Sequence, residues 1–193
     1  MVLVNSYDEN EVANKIEVKP ALINPYDEKE VADKILEDWD DVCNSLNIPH
    51  FVFMGTCLGF YRDAGYIESD SDLDVGVLCS LERLKDLVEA LAEKNISGRG
   101  RLICNINIGR EHVLLDVWHV FGPLHMNFLT KFDTVTYNDR IYNTPFPIED
   151  YLKFAYVDWK TPVAYDARGE DGSWLGKTQQ SACDYTDGGP VLL

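Results

Sequence analysis

Three aspartates at alternate positions, Asp70, Asp72 and Asp74, have the spacing in this chain that most clearly indicates chemistry. Side chains alternate between the two faces of an extended strand, so Asp72 and Asp74 share one face while Leu73 and Val75 take the other. Like charges on one strand face repel each other, and aspartate is a poor strand former. A divalent cation would reverse this repulsion, so the acidic run predicts a metal site.

A glycine–threonine pair, Gly55 and Thr56, precedes the acidic run at the end of a short apolar stretch, residues 51–54. The apolar stretch predicts a buried strand that turns into a helix at this pair. We expect the Thr56 hydroxyl to cap the helix, and the free N–H groups of the first helical turn to bind a phosphate. Carboxylates beside a phosphate site give a second reason to predict a divalent metal.

These two elements together resemble the nucleotidyltransferase superfamily, whose motif is hydrophobic-Gly-Ser/Thr followed by Asp-hydrophobic-Asp-hydrophobic. Within it, the fuller string Gly-Thr-x-Leu-Gly-x-x-Arg, then Gly-x-Ile and Asp-x-Asp-hydrophobic-Asp, resembles the LicD/fukutin branch. The matching positions of this chain are Gly55, Thr56, Leu58, Gly59, Arg62, Gly65, Ile67, Asp70, Asp72 and Asp74. Either motif alone occurs by chance in loops, whereas both at this spacing form a specific signal. The alternative is an exposed acidic loop that follows an ordinary helix.

The resemblance covers residues 26–162 and implies an α/β (α+β) fold of nucleotidyltransferase type, with a mixed β-sheet flanked by helices. Known relatives transfer a phospho-alcohol, such as phosphocholine or ribitol phosphate, from a CDP-activated donor onto a glycan. The resemblance therefore implies a metal-dependent phosphotransferase that uses Mg²⁺ or Mn²⁺ and a hydroxyl acceptor. Two alternatives stay open. One is transfer of a nucleoside monophosphate from an NTP with release of pyrophosphate, and the other is a catalytically silent member that binds a nucleotide.

The resemblance also implies roles for three carboxylates. Asp72 and Asp74 would hold the metal, and Asp116 would be either a further ligand or the base that accepts the hydroxyl proton. Asp116 lies among apolar residues on a later predicted strand, where an unpaired carboxylate is costly. The alternatives for Asp116 are an exposed bend and an ion pair with Arg110.

Gly55, Thr56 and Arg62 are the residues expected to bind the phosphates of the donor. Arg62 matches the arginine of the family string, and its guanidinium can pair with a phosphate through two hydrogen bonds. The alternative for Arg62 is a surface ion pair with Asp63 or Glu68.

Other residues of the chain have weaker assignments. Asp70 is either an outer partner of the metal ligands or an acidic turn residue. The string at Tyr156, Asp158, Trp159 and Pro162 resembles Tyr-Gly-Asp-Trp-x-x-Pro near the end of LicD domains, although Val157 replaces its glycine. We expect Trp159 to pack rather than to stack on a base. The four histidines have neither metal nor triad spacing, so we expect structural roles for them.

The elements that must position these residues follow from the hydrophobic pattern. A helix is predicted ahead of the first strand, with Val31, Ile35, Trp39, Val42 and Leu46 on one stripe. The elements predicted after the acidic strand are a helix over 81–95, a break at Gly98 and Gly100, strands over 102–108 and 112–121 in a hairpin, a hairpin over 134–142, and a helix over 148–157.

The chain is expected to have three parts. The sequence of residues 6–16 is repeated at residues 25–35 with three differences. A single pair of copies is too short for a solenoid. We expect residues 1–25 to be an N-terminal arm with this partial repeat, and residues 26–166 to be the catalytic domain. Residues 167–193 are rich in Gly, Ser and Asp and are expected to be a loosely ordered tail.

Composition restricts the partners of the chain. Its 193 residues, 46% of them hydrophobic, are enough for one domain with a sizeable core. The 33 acidic and 17 basic residues give a formal charge of −16, which argues against nucleic acid or an anionic membrane surface as the main partner. The resemblance implies instead a nucleotide-activated donor, either a CDP-alcohol or an NTP, and a hydroxyl acceptor.

The same composition bears on location. We find no signal-peptide pattern, and no apolar run approaches the roughly twenty residues of a membrane span. The five cysteines are scattered and odd in number, so reduced thiols in a cytoplasmic protein are expected. The oligomeric state does not follow from the sequence.

Overall fold

The path of the polypeptide in the computed structural model is described for residues 24–68, 70–101, 105–119, 123–156 and 158–162. Residues 1–23, which hold the first repeat copy, and the predicted tail over 167–193 lie outside the described residues. Cys104 and Cys183 also lie outside them. The predicted division into arm, catalytic domain and tail therefore stays a prediction.

The described part of the chain contains both helices and strands. The helices are α1 (Lys29–Ser45), α2 (Met54–Arg62), α3 (Leu81–Glu93), α4 (Pro123–Met126) and α5 (Ile148–Ala155). The strands are β1 (His50–Val52), β2 (Asp72–Val77), β3 (Ser97–Arg101), β4 (Asn105–Arg110), β5 (Val113–Trp118), β6 (Phe132–Tyr137) and β7 (Arg140–Pro145). Among the described residues, none of the helices has the length and apolar composition needed to cross a bilayer.

A five-stranded sheet in the order β1-β2-β5-β4-β3 lies at the centre of the fold. Strands β2 and β5 run parallel, and the other neighbours run antiparallel, so the sheet is mixed as predicted. Parallel strands need a crossover connection, which α3, β3 and β4 provide here. The register of the parallel pair places Asp74 directly opposite Asp116.

Among the described helices, α1 contributes the largest share of the buried hydrophobic core. Its residues Ile35, Trp39 and Val42 are buried, and Val31 and Leu46 at the ends of the stripe are partly buried. This stripe is the one that the 3.6-residue periodicity predicts. Helix α3 contacts α1 and buries its own leucine stripe, namely Leu84, Leu87 and Leu91.

A second, two-stranded sheet is formed by β6 and β7. Asn138 and Asp139 in its turn both have positive φ, 47° and 60°. Such a pair of residues is typical of the type I′ turn of a hairpin, so the predicted hairpin is confirmed. Strand β7 lies beside β1, where Asn143 Nδ2 donates a hydrogen bond of 3.0 Å to the carbonyl oxygen of His50. The hairpin thereby covers the β1 edge of the central sheet.

Strand β3 corrects the sequence prediction. The predicted break at Gly98 and Gly100 is wrong, because both glycines lie inside a strand that pairs with β4. The register shifts between these two glycines, and such an irregularity is where a strand tolerates glycine. The predicted hairpin of two later strands is observed as β4 and β5, while residues 102–104 and 120–121 lie outside the described residues.

Candidate active site

The acidic run forms a compact group at the start of β2. The three aspartates, Asp70, Asp72 and Asp74, are half-buried. One carboxylate oxygen from each lies within 4.8 Å of the other two. Carboxylate oxygens are the ligands that Mg²⁺ and Mn²⁺ prefer in proteins. The donor set therefore fits a divalent cation of this kind, and the alternative of a merely exposed acidic loop does not describe it.

Asp116 lies on β5, next to this group. Its side chain is buried, and it accepts hydrogen bonds from Asn105 Nδ2 at Oδ2, 2.9 Å, and from Asn107 Nδ2 at Oδ1. Both asparagines belong to the neighbouring strand β4. Neither alternative from the sequence holds, because Asp116 is in mid-strand and Arg110 pairs with Asp38 of α1.

Burial and mutual repulsion dominate the electrostatics of the four carboxylates. Burial, followed by the charge of a neighbouring aspartate, raises the pKa of Asp70 to about 7 and that of Asp72 to about 8. The same causes raise the pKa of Asp74 to about 8. Burial also raises the pKa of Asp116, against the hydrogen bonds from its asparagine partners. A cation bound among these groups would compensate the charge that burial penalises.

Asp74 is held by donors at both of its carboxylate oxygens. Trp118 Nε1 donates to Oδ1 at 2.9 Å, and the backbone N–H of Gly55 donates to Oδ2 at 3.1 Å. The backbone N–H of Asp74 in turn donates to Thr56 Oγ1 at 2.8 Å. The sequence analysis did not assign Trp118 to the site. Its position two residues after Asp116, on the same strand face, was the signal available.

The start of α2 differs from the prediction. The helix begins at Met54 with Phe53 as its N-cap and without a side-chain capping bond, so the predicted Thr56 cap is wrong. Thr56 is the third helical residue, and its hydroxyl faces the backbone of Asp74 instead. The N–H of Met54, which has a φ of 37°, is satisfied by the hydroxyl of Tyr151 at 3.2 Å. A distant helix therefore supplies the acceptor that we expected from a local cap.

Gly55 allows the acidic group to approach the start of α2. A Cβ atom at this position would lie 2.0 Å from Oδ2 of Asp70 and 3.3 Å from Oδ2 of Asp74. The partial positive charge of a helix N-terminus favours carboxylates at this place. Since Gly55 and Thr56 contact a carboxylate strand here, their binding of a donor phosphate stays a prediction.

Arg62 lies at the other end of α2. Its Nε and Nη2 donate to the two carboxylate oxygens of Asp63, at 2.8 and 2.6 Å, and Nη1 donates to the carbonyl oxygen of Trp159 at 3.2 Å. This ion pair is the alternative stated from the sequence, and phosphate binding by Arg62 stays a prediction. Trp159 is buried and packs against Tyr61, with 5.6 Å between ring centroids, as expected of a packing residue.

Two of the histidines have clear structural contacts. His50 Nε2 lies 2.9 Å from Asp40 Oδ1, in a buried position beside Trp39. His125 packs against Phe53 and Phe154, and burial lowers its pKa to about 4. These contacts agree with the structural roles that we expected.

Comparison with known protein families gives one match. Residues 47–156, more than half of the chain, match the model described as LicD/FKTN/FKRP, nucleotidyltransferase domain. The matched range begins three residues before β1, runs through α5 and includes all four carboxylates of the site. A comparison with curated proteins gave no match.

Solved structures give weaker likenesses. The chain is similar to the antibiotic-resistance factor ANT(2'')-Ia in solution, with 16% identity and a TM-score of 0.40, over 49% of this chain and 48% of that one. It is also similar to ANT(2'')-Ia in a crystal with adenylyl-2''-tobramycin, with 15% identity and a TM-score of 0.37, over 48% of this chain and 50% of that one. The chain thus spans about half the length of these two structures.

Proposed function

The chain belongs to the LicD/FKTN/FKRP family of nucleotidyltransferase domains, and we propose that it works as a metal-dependent phosphotransferase. Membership makes it a transferase of phosphorus-containing groups that uses a nucleotide. The finer reaction in our proposal is transfer of a phospho-alcohol from a CDP-activated donor to a hydroxyl acceptor such as a glycan, with CMP as the leaving group. The string at Gly55 to Arg62 and the later Asp158–Trp159 match support the CDP-alcohol donor.

The observation behind this proposal is the group of four carboxylates on one face of the β2–β5 pair and at the start of β2. Oxygens of Asp70, Asp72 and Asp74 lie within 4.8 Å of one another, and Asp116 lies directly opposite Asp74 on β5. Asp72, Asp74 and Asp116 are the proposed metal ligands, and Asp70 lies close enough to join them. A bound Mg²⁺ or Mn²⁺ would neutralise phosphate charge and stabilise the charge that develops during transfer. Carboxylates with raised pKa values destabilise the folded protein when they are ionised, and such perturbed groups cluster at functional sites.

Asp116 is the proposed third carboxylate of the site. The amides of Asn105 and Asn107 hydrogen-bond both of its oxygens, and such donors favour the ionised form over the neutral acid. Both of the roles considered for Asp116, ligand and base, require this ionised form. The two asparagines also fix the direction of the carboxylate on the strand.

Donor phosphates are proposed to bind through Arg62 and the start of α2. The guanidinium already makes a paired, two-bond contact with the carboxylate of Asp63, which is the geometry that a phosphate also accepts. We propose that the donor phosphate exchanges with Asp63 on binding.

Nucleotidyl transfer from an NTP is the second candidate function. The same acidic group serves it, because either reaction moves a phosphoryl centre between oxygens held near a metal. The two reactions differ in the leaving group, which is CMP in the first and pyrophosphate in the second.

Product analysis distinguishes the two functions. The full chain is incubated with Mg²⁺ and CDP-choline, CDP-glycerol, CDP-ribitol or each of the four NTPs, with and without glycan acceptors. We expect metal-dependent release of CMP from a CDP-alcohol. This release should fall to background in Asp74→Asn and persist in Asp86→Asn, which changes an exposed aspartate of α3. Release of pyrophosphate from an NTP without any CMP would replace the proposal by the second candidate.

A further inference from the structure

The indole of Trp118 reaches the acidic strand as a diagonal neighbour across the β2–β5 pair. Trp118 on β5 lies directly opposite Gly76 on β2, and Asp74 is two residues away along β2, on the same face. Diagonal neighbours of this kind are within reach of a large aromatic side chain. Nε1 of Trp118 accordingly lies 2.9 Å from Oδ1 of Asp74.

Packing on both sides fixes the orientation of this indole. Phe51 on β1 is the other cross-strand neighbour of Gly76, and its ring fills the space above the glycine. A Cβ atom at Gly76 would lie 2.3 Å from Cζ of Phe51. Phe53 packs against the indole in an edge arrangement, with 6.0 Å between ring centroids and an interplanar angle of 63°. The Nε1–H of Trp118 therefore has a defined direction before any ligand arrives.

The hydrogen bond from Trp118 completes a two-point hold on one carboxylate. The backbone N–H of Gly55 holds the second oxygen of Asp74 at 3.1 Å. Rotation of the carboxylate about its last side-chain bond would break both hydrogen bonds at once. Each oxygen accepts through one lone pair here and keeps another for a cation.

We propose that Trp118 is a positioning residue for the proposed metal ligand Asp74. This inference rests on the proposed function, because it takes Asp74 as a ligand. The indole sets the rotation of the carboxylate. Hydrogen-bond partners of metal ligands typically change metal affinity or activity by 10–100-fold when they are removed.

The test measures binding of Mn²⁺ alone to the full chain, by electron paramagnetic resonance of the free ion. Trp118→Phe should raise the Kd for Mn²⁺ about tenfold or more, because Asp74 loses one of its two fixed contacts. Trp118→His, which keeps a ring N–H, should bind Mn²⁺ more tightly than Trp118→Phe. The matched control is Trp39→Phe. Trp39 is fully buried in α1, and among the described residues its Nε1 has no hydrogen-bond partner. The Kd of the Trp39→Phe protein for Mn²⁺ should therefore equal that of the parent.

A second readout uses the fluorescence of Trp118 in a protein whose other three tryptophans, Trp39, Trp159 and Trp174, are replaced by phenylalanine. Paramagnetic Mn²⁺ should quench this emission, and the quenching should disappear when Asp74→Asn is added. The measurement shows whether Mn²⁺ binds beside Trp118 through Asp74, and the Kd of Trp118→His tests the positioning role if Trp118→Phe does not fold.

The outcomes separate the inference from the function on which it rests. A folded Trp118→Phe protein with unchanged Mn²⁺ affinity overturns the positioning role and leaves the proposed function standing. Quenching of Trp118 that survives in Asp74→Asn shows that the ion binds without this carboxylate, which overturns Asp74 as a ligand and the positioning role with it. A wild-type chain that binds no Mn²⁺ overturns the metal site of the proposed function, and the positioning role with it.

Discussion

Two opposing effects act on the Asp74 carboxylate. Burial and the charge of Asp70 raise its pKa, whereas the hydrogen bonds from Trp118 and Gly55 lower it. Burial wins, since the pKa rises from 3.8 to about 8. Asp72 shows the same balance with a pKa of about 8. The hydrogen bonds thus orient the carboxylate without compensating its charge, and the metal-free site should destabilise the folded protein.

This imbalance predicts how the stability of the metal-free protein depends on pH. Between about 4 and about 8 the folded protein binds more protons at Asp72 and Asp74 than the unfolded chain does. The free energy of unfolding should therefore fall as the pH rises through this window. The free energy of unfolding of the Asp74→Asn protein should fall less steeply with pH. Near pH 8 this variant should be at least as stable as the parent. Chemical denaturation in the presence of a chelator, at a series of pH values, measures both effects.

Added Mg²⁺ provides the control for this prediction. A ligand that binds only the folded state stabilises it by about 2.7 kcal/mol at a hundredfold excess over Kd. This gain should appear in the parent and in Asp86→Asn and should be lost in Asp74→Asn. An Asp74→Asn protein that is much less stable than the metal-free parent would show that the carboxylate is structural.

At the scale of elements, the start of α2 shows where local sequence signals end. The run from strand to helix was predictable from apolar residues followed by Gly55, and α2 forms there. The acceptor for the first helical N–H was not, because Tyr151 lies 97 residues further along the chain. A capping pattern reads only neighbours in sequence, so Thr56 was the best local candidate. Its hydroxyl is instead taken by the adjacent strand.

Replacement of Tyr151 tests this long-range contact. Tyr151→Phe removes the hydroxyl that accepts the N–H of Met54, so the free energy of unfolding should fall by about 0.5–1.5 kcal/mol. Urea denaturation measures the change. Tyr61→Phe is the matched control, because that hydroxyl donates to Glu149 at the surface and its loss should cost less. Equal losses in the two variants would argue against a role of Tyr151 at the start of α2.

For the strands, too, some features were predictable from neighbouring residues, and others depend on residues far along the chain. Alternation along β2 and β5 predicted which face bears Asp72, Asp74 and Asp116, and the observed faces agree. The hairpin turn at Asn138 was predictable because its residues tolerate positive φ. The partner of Arg110 was not, since Asp38 lies 72 residues away on α1. Strand β3 was missed because its glycines are read as breaks when the pairing strand is unknown.

At the scale of the whole molecule, one residue of α1 makes contacts that distinguish the second repeat copy from the first. Asp33 accepts hydrogen bonds from the hydroxyls of Tyr66 and Tyr137, at 2.8 and 2.9 Å, and from Asn138 Nδ2 at 2.7 Å. The first copy has Asn14 at the equivalent position. An amide has one acceptor oxygen and its nitrogen only donates, so it would not satisfy these three donors as a carboxylate does. The second copy is therefore the one suited to this contact.

We predict that the first copy is dispensable for folding. A chain that begins at Lys19 should keep its circular dichroism spectrum, and its free energy of unfolding should change by no more than about 0.5 kcal/mol. In that shortened chain, Asp33→Asn should cost about 1–3 kcal/mol, because buried donors lose their acceptor. Loss of soluble protein on shortening would show instead that residues 1–18 dock on the domain or on another subunit.

The row formed by Phe51, Gly76 and Trp118 has a consequence for protein design. Phe51 occupies the space that a side chain at position 76 would need, and Trp118, the neighbour of Gly76 on the opposite strand, reaches Asp74. Anyone who grafts this acidic strand onto another sheet must transfer all three positions together, on three adjacent strands. In a library that varied the three positions independently, most combinations would contain a clash or a cavity. A library that paired a larger residue at position 76 with a smaller one at position 51 would preserve the total volume.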